Sequence, residues 1–385
     1  MNCSTALDSC DVQVEADQGS GPDPLLETSS DPGGSLVRDV RAWLTACSND
    51  PGFAGDRSAC AEAAEMDPTW LRVVRDGLGH EPFLLAARDA ASQGAVCGCL
   101  PMALVASRLF GRFFVSLPYL NRAGVAARDA GIADALLRGA VALAEEHDVR
   151  YLELRHSLPI AHDALPHKMD TKVRMVLELP ESAALLWEKL ASKVRNQVRK
   201  GDRHALSIRW GGGELLRDFY RIFSVNMRNL GTPVYPRRLF ASILENFSDR
   251  AELAVADHEG RAVAAALLVH GGGGLTQVPS ACSLPTAAAT CANMWMYHKL
   301  LVRAIERGGR RFDFGRSSSG SGTHSFKKQW GAQPAPTTWQ YHLRRGSIDA
   351  MRPQSPRYRR WVAGWQKLPV WGTRVAGPAI VRGIP

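Results

Sequence analysis

The 385-residue sequence has no run near the roughly twenty apolar residues that a membrane-spanning helix needs. It does not open with a basic segment followed by an apolar one, which excludes a secretory signal. Its cysteines, Cys3, Cys10, Cys47, Cys60, Cys97, Cys99, Cys282 and Cys291, form no C-x-x-C and stand at no zinc-like spacing from histidine. That argues against a structural metal and for buried thiols in a reducing cytoplasm. Cys97 and Cys99 are expected to face one side of a strand. There is no G-K-[ST], so Gly271 to Gly274 reads as a wide hairpin turn rather than a phosphate loop. There is no G-x-S-x-G, so Ser321 is not a hydrolase nucleophile.

What is present suits a globular protein with one large or two ordinary cores: 45% of residues are hydrophobic and 22% charged. The net charge of +9 favours an anionic partner. The first forty residues reverse that sign. Asp8, Asp11, Glu15, Asp17, Asp23, Glu27, Asp31 and Asp39 stand against Arg38, and residues 1–64 are expected to be a disordered acidic leader.

One pattern then occurs twice. Pro82 to Asp89, Ala95 to Ser107 and Arg112 to Leu120 read as three strands, followed by a helix from about Asp129 and a strand at Tyr151 to Arg155. Ala251 to Gly260, Arg261 to His270 and Gly271 to Ala281 repeat the meander. A helix from Thr290 to Arg307 and a strand at Arg311 to Arg316 follow. Both closing strands read apolar, acid, apolar, then basic, which makes Glu153 equivalent to Asp313 and Arg155 to Arg316. A duplicated α/β domain is expected, with units at 65–180 and 181–343 and a basic, tryptophan-rich tail at 344–385.

The densest chemistry lies in Arg311 to Pro334, RFDFGRSSSGSGTHSFKKQWGAQP. A short strand breaks at Gly315-Arg316 into a Ser/Gly loop and emerges with His324, Phe326, Lys327, Lys328 and Trp330. Glycine lets backbone approach a ligand, successive N–H groups form an anion nest, and lysine adds a point charge. Lys327 is the first candidate for stabilising an oxyanion or binding a donor phosphate, with the N–H groups around Gly320 and Gly322 second. Asp313 or His324 would accept the nucleophile's proton. The competing reading pairs Asp313 with Arg316 and leaves His324 on a surface loop.

Glu181 to Trp210 reads as a helix whose apolar stripe is Leu185, Leu186, Leu190 and Val194. Its end is crowded by Lys193, Arg195, Arg199, Lys200 and Arg203, either as helix-dipole partners or as an anion site. A second helix, Leu215 to Leu230, leads into Gly231 to Phe240, where two prolines bracket Tyr235 as a pocket wall or a rigid turn. In the tail, Arg357, Arg359, Arg360, Lys367 and Arg374 interleave with Tyr358, Trp361, Trp365 and Trp371. That suits an anionic membrane interface or a nucleic acid, of which peripheral membrane contact is the favoured reading, or else a short helix packing its tryptophans back on the domain.

Ser192 to Gly201 (SKVRNQVRKG), Phe219 to Pro236, Asn293 to Leu300 and Phe312 to Pro334, in this order, resemble the FemAB-like branch of the GNAT N-acyltransferase superfamily. The nearest pattern is that of the FemAB-type proteins associated with PEP-CTERM and exosortase loci. The resemblance spans roughly Thr69 to Leu343 and implies tandem GNAT-like α/β domains with mixed sheets and flanking helices. It implies transfer of an acyl or aminoacyl group to an envelope, exopolysaccharide or lipid-linked acceptor, from acyl-CoA or an aminoacyl-tRNA, without a metal and without DNA. The family's F-K-x-x-[FW]-G lysine falls on Lys327. Arg316, Gly320, Gly322, Lys328, Trp330, Tyr235, Arg195 and Arg199 are the expected substrate contacts. His324 stands where relatives often have tyrosine. No clear copy of the acyl-CoA pyrophosphate pattern [QR]-x-x-G-x-[GA] is expected before either helix; Ala287 to Met294 is a poor substitute. A non-catalytic scaffold of the same fold is the competing class. The expected place is the cytoplasm, or the inner face of the membrane if the tail docks there.

Overall fold

The computed structural model describes residues 24–49, 66–92, 94–107, 110–347 and 356–384. The first sheet runs in the order β1 (Leu25–Ser29), β2 (Glu81–Asp89), β3 (Ala95–Ser107), β4 (Gly111–Val115), β6 (Tyr151–His156), β15 (Thr338–Leu343) and β7 (His167–Met169). A two-residue β5 (Ala126–Ala127) pairs with β3. The second sheet runs β14 (Gln333–Ala335), β8 (Lys172–Glu178), β13 (Arg311–Ser318), β12 (Leu275–Ser283), β11 (Arg261–His270), β10 (Ala251–His258) and β9 (Ser207–Gly211).

The repeat is real at the level of pairing. β2–β3–β4 and β10–β11–β12 are antiparallel meanders, and each returns through a helix to a parallel strand, β6 beside β4 and β13 beside β12. The returning helices are α3 (Ala130–Glu146), capped by Asp129, and α8 (Ala292–Glu306). Each burial pattern follows from an apolar stripe at helical spacing. Ile132, Leu136, Ala140 and Ala144 of α3 face the outer side of the first sheet; Trp295, Met296, Leu300 and Ala304 of α8 face that of the second.

Between the sheets lies a shared core. It is filled by α1 (Ser35–Asn49), α2 (Thr69–Val73), α6 (Leu216–Leu230) and α7 (Arg237–Asn246), packed against Leu84, Cys99 and Ala103 on one side and Leu253, Val255 and Leu267 on the other.

Several expectations change. Residues 24–49, assigned to a disordered leader, form β1 and α1. Leu36, Val37, Val40, Leu44 and Cys47 make a helical stripe that enters the shared core, and the acids Glu27 and Asp39 both pair with Arg88. The remainder of that leader, residues 1–23 and 50–64, lies outside the described residues. The break at residue 180 does not separate the sheets, because β8 precedes it yet belongs to the second sheet, and β15 returns to the first. Cys97 and Cys99 are both buried but sit in different cores, because the β2–β3 register slips between Ala87 and Arg88 and a bulge turns Cys97 over.

The single helix expected after Glu181 is two, α4 (Ala183–Lys189) and α5 (Ser192–Arg203), separated by extended Leu190 and Ala191. The tail packs back. α10 (Pro356–Gln366) and α11 (Val370–Val381) lie on α6 and the loop after it, with Trp365 buried.

Helix α5 approaches α8 closely enough that only glycine fits at position 201: a Cβ there would lie 2.6 Å from the Cβ of Trp295. Gly201→Val is therefore expected to cost about 1–3 kcal/mol by overpacking, measured as a lowered urea midpoint with an unchanged slope.

Candidate functional site

The parallel pairs stay together only briefly. β12 and β13 are in register over Leu275–Gln277 and Arg311–Asp313, and β4 and β6 over Phe114–Val115 and Leu152–Glu153. Asp313 and Glu153 each occupy the last paired position, confirming their equivalence. Beyond it the strands open, and each acid grips a buried arginine. Glu153 Oε1 lies 2.7 Å from Arg155 Nη2, whereas Asp313 Oδ2 accepts at 3.0 Å from Arg174 Nε of β8. The expected Asp313–Arg316 pair is not formed.

Arg316 turns elsewhere. The β13–β8 register slips between Asp313 and Arg316, and Gly315 takes φ +77°, a conformation that glycine adopts without strain. Its N–H is held by Asp313 Oδ1 at 2.7 Å. Arg316 is thereby aimed at the first domain, where its Nε donates to Asn121 Oδ1 at 2.9 Å and its guanidinium lies 3.6 Å from the ring centre of Trp339. Burial, then the charge of Arg155, lowers its pKa to about 9.

Lys327 comes from α9 (Gly322–Lys328), a short helix capped by Ser321, whose Oγ accepts from His324 N. The side chain folds back under β13, is 8% exposed, and donates from Nζ to the carbonyls of Gly315 and Arg316, each at 2.9 Å. Burial lowers its pKa to about 8; Asp313 opposes that shift and Arg316 adds to it. A Cβ at Gly315 would lie 3.6 Å from Asn121 Nδ2 and 3.9 Å from Lys327 Nζ, so the missing side chain leaves the space between them open.

The opposing wall is a bend, Ser116 to Asn121, in which Leu117 and Tyr119 both have positive φ. Non-glycine residues are held there only when their surroundings over-determine them. Here Arg155 supplies that restraint, its Nη1 donating to the carbonyls of Leu117 and Leu120, while Trp339 Nε1 donates to Asn121 O. Tyr119 hydrogen-bonds Ser280 of β12 at 3.2 Å and packs edge-on to Tyr235 at 5.1 Å, which sets Tyr235 against this bend. Burial raises the pKa of both phenols. Lys172 adds charge at the rim. Burial of its ammonium, then Arg316 and Arg155, lowers its pKa, although the residue as a whole remains exposed.

Asp313, Arg316, Lys327 and Tyr235 are thus brought to one place. Gly320, Gly322 and Lys328 sit on the exposed turn and outer face of α9, with open space around both glycines, and His324 is half-buried on its first turn. Trp330 is core, its ring tilted toward Tyr297 at 6.3 Å. Arg195 Nη1 donates to the carbonyls of Trp187, Glu188 and Leu190 across the break between α4 and α5, and Arg199 lies over the Trp187 ring.

The other residues of α5, Ser192, Lys193, Asn196, Gln197, Lys200 and Arg203, line a hollow of about 500 Å3. Asn121, Arg155, Arg174 and Trp339 were missed as site residues because their role depends on which strands become neighbours. A second omission was legible. Arg128-Asp129-Ala130-Gly131-Ile132-Ala133 fits [QR]-x-x-G-x-[GA] at the start of α3. Its arginine, however, is paired with Asp89 and Asp129. The start of α8 has no such glycine, and Thr290 and Ala292 are buried there. Among the described residues no group of His, Cys, Asp or Glu is arranged to hold a metal ion.

Residues 189–328 match the acetyltransferase (GNAT) domain family. The fold is two GNAT-like domains in tandem. FemX is similar over 82% of this chain and 97% of its own, at 12% identity and a TM-score of 0.58. The C-terminal DUF2156 domain of a candidate lysylphosphatidylglycerol synthetase from Agrobacterium fabrum is similar over 80% of this chain and 94% of its own, at 12% identity and a TM-score of 0.50. No curated protein sequence matches the chain.

The lowered value of Lys327 has a measurable consequence. Between about pH 8 and the ordinary lysine value of 10.5 the unfolded chain binds a proton that the folded chain has released, so this group adds stability as pH rises through that window. Lys327→Met lacks that rise. Urea unfolding at about pH 7.5 and about pH 9.5 should show the stability gap moving in favour of the wild type at the higher pH; a gap independent of pH would mean an ordinary lysine.

Proposed function

We propose that the chain is a GNAT-type acyl- or aminoacyltransferase whose reaction centre lies at the opening of β12 and β13. One observation carries this reading. The buried acids Glu153 and Asp313 are matched by Arg155 and Arg174, whereas Arg316 and Lys327 form no ion pair with a described carboxylate. Two desolvated cations with no carboxylate at ion-pairing distance favour an anion that enters beside them.

In acyl transfer that anion is the oxygen of the tetrahedral intermediate. The acceptor amine or hydroxyl forms a bond to the acyl carbon, negative charge gathers on the carbonyl oxygen, and the bond to the donor's sulfur or oxygen then breaks. Lys327 has three N–H groups, two of which are spent on Gly315 and Arg316, leaving one for the oxyanion. Such a donor, preorganised away from water, commonly supplies the largest single term in catalysis. Asp313 has both oxygens engaged by Arg174 and Gly315, so it positions Lys327 and the bulge rather than accepting a proton. His324 remains the candidate for that step.

Two donors suit this centre, acyl-CoA and an aminoacyl-tRNA. The basic hollow along α5 favours the second, since Lys193, Lys200 and Arg203 would track a phosphate backbone. A lipid-linked or envelope acceptor, including one from exopolysaccharide or exosortase-linked systems, suits the cationic wall. A solved protein of the same fold that is named for lysylphosphatidylglycerol synthesis supports the lipid-linked class.

Transfer from a panel of acyl-CoA and aminoacyl-tRNA donors is the test. Lys327→Ala is expected to lower kcat by about 10²–10³ with the protein still folded. The wild-type rate should fall as pH rises through about 8, because the protonated ammonium is lost there, and Lys327→Arg should abolish that fall. Unchanged turnover in Lys327→Ala would remove this centre from the reaction. No transfer from any donor would leave a scaffold.

A further inference from the structure

Helix α11 has two apolar sides and only one of them is covered. Thr373, Gly377 and Val381 face inward. A Cβ at Gly377 would lie 2.8 Å from the backbone nitrogen of Val234, which shows how closely this side is seated. On the outer side Trp371 is 71% and Val375 76% exposed, and exposed Ala379 continues the stripe at four-residue steps. Leu368 in the preceding turn and Trp361 of α10 are exposed as well.

The segment that carries this stripe has charge of one sign. Residues 356–385 contain Arg357, Arg359, Arg360, Lys367, Arg374 and Arg382 and no aspartate or glutamate. Arg360, Lys367 and Arg382 are exposed, and Arg374 lies over the Tyr220 ring. No helix among the described residues is long and apolar enough to cross a membrane.

We propose that α11 and the turn before it lie on an anionic lipid bilayer, with Trp371 and Val375 in the headgroup region and Lys367 and Arg360 against lipid phosphates. A bilayer surface takes up both features at once, since tryptophan favours the interface and basic side chains meet the negative surface potential. A second copy of the chain would set this cationic stripe against itself. A nucleic acid would meet the charges but leave Val375 and Ala379 in water.

The docked surface is one layer from the candidate site. Val234 beneath Gly377 precedes Tyr235, and Tyr220 donates its hydroxyl hydrogen to Tyr235 O at 2.9 Å. Delivery of a lipid-linked acceptor from the same surface rests on the proposed function; the docking itself does not.

The test is co-sedimentation of the full chain with vesicles of phosphatidylcholine alone or with about 30% phosphatidylglycerol, at low and high salt. The wild type should pellet with the anionic vesicles and be released by salt. Trp371→Ser/Val375→Ser, with circular dichroism and Tm unchanged, should lose about tenfold or more in binding, and Arg360→Glu/Lys367→Glu should remove the salt-sensitive part. Transfer to a water-soluble acceptor should survive the Trp371→Ser/Val375→Ser change, which separates failure of docking from failure of the reaction centre. Wild-type protein left in the supernatant, or equal pelleting of wild type and variant, overturns the proposal. So does loss of RNA binding or of a dimer, rather than of vesicle binding, in that variant.

Discussion

Arg155 is the residue on which the junction of the two domains depends. It is 2% exposed, ion-paired to Glu153, bonded to the carbonyls of Leu117 and Leu120, and 4.0 Å from the ring centre of Trp339. Those contacts hold a bend with two positive-φ residues, bring β15 beside β6, and present Asn121 to the second domain. Removing its charge alone would strand Glu153 in the interior, the costlier way to break a buried pair. Arg316 reaches the same Trp339 from β13, so the two halves of the repeat meet on one indole.

The symmetry of the repeat is broken at the acids, and that asymmetry makes the site. Glu153 takes the arginine two residues along its own strand. Asp313 takes Arg174 from β8 instead, because the glycine bulge carries Arg316 away. An arginine that in the first domain is a structural tie becomes, in the second, a half-buried cation facing Asn121. Lys327 then fills the space under the bulge and satisfies the carbonyls the bulge exposes. The depressed pKa values of Arg316 and Lys327 share one main cause, loss of water around the charge, which the nearby acids Glu153 and Asp313 only partly offset.

Much of the repeat was legible. The unbroken apolar runs of β2, β3, β10 and β11, buried on both faces, and the helical stripes of α3 and α8 are local patterns, and the glycine turns that separate them are local signals. The acid at the end of each closing strand was visible as a motif. The ordered start of the chain was misread because its acidic composition outweighed the stripe from Leu36 to Cys47, which a helical count would have detected. The expected helix from Glu181 failed at Leu190-Ala191, where no breaker residue stands. At the interruption Arg195 bonds backward to three carbonyls at the end of α4, a contact that sequence does not signal.

Hydrophobic period, turn chemistry and residue type act within a few positions of the chain, so the repeated strands and helices and the lysine after a glycine break could be read from sequence. Which arginine each acid holds, the placing of β8 and β15 in the opposite sheets, and the facing of Asn121 and Trp339 toward Arg316 are products of packing. Those outcomes depend on strand neighbours 100 to 200 residues apart, as in Arg174–Asp313 and Asn121–Arg316, and on which charges the packing deprives of water.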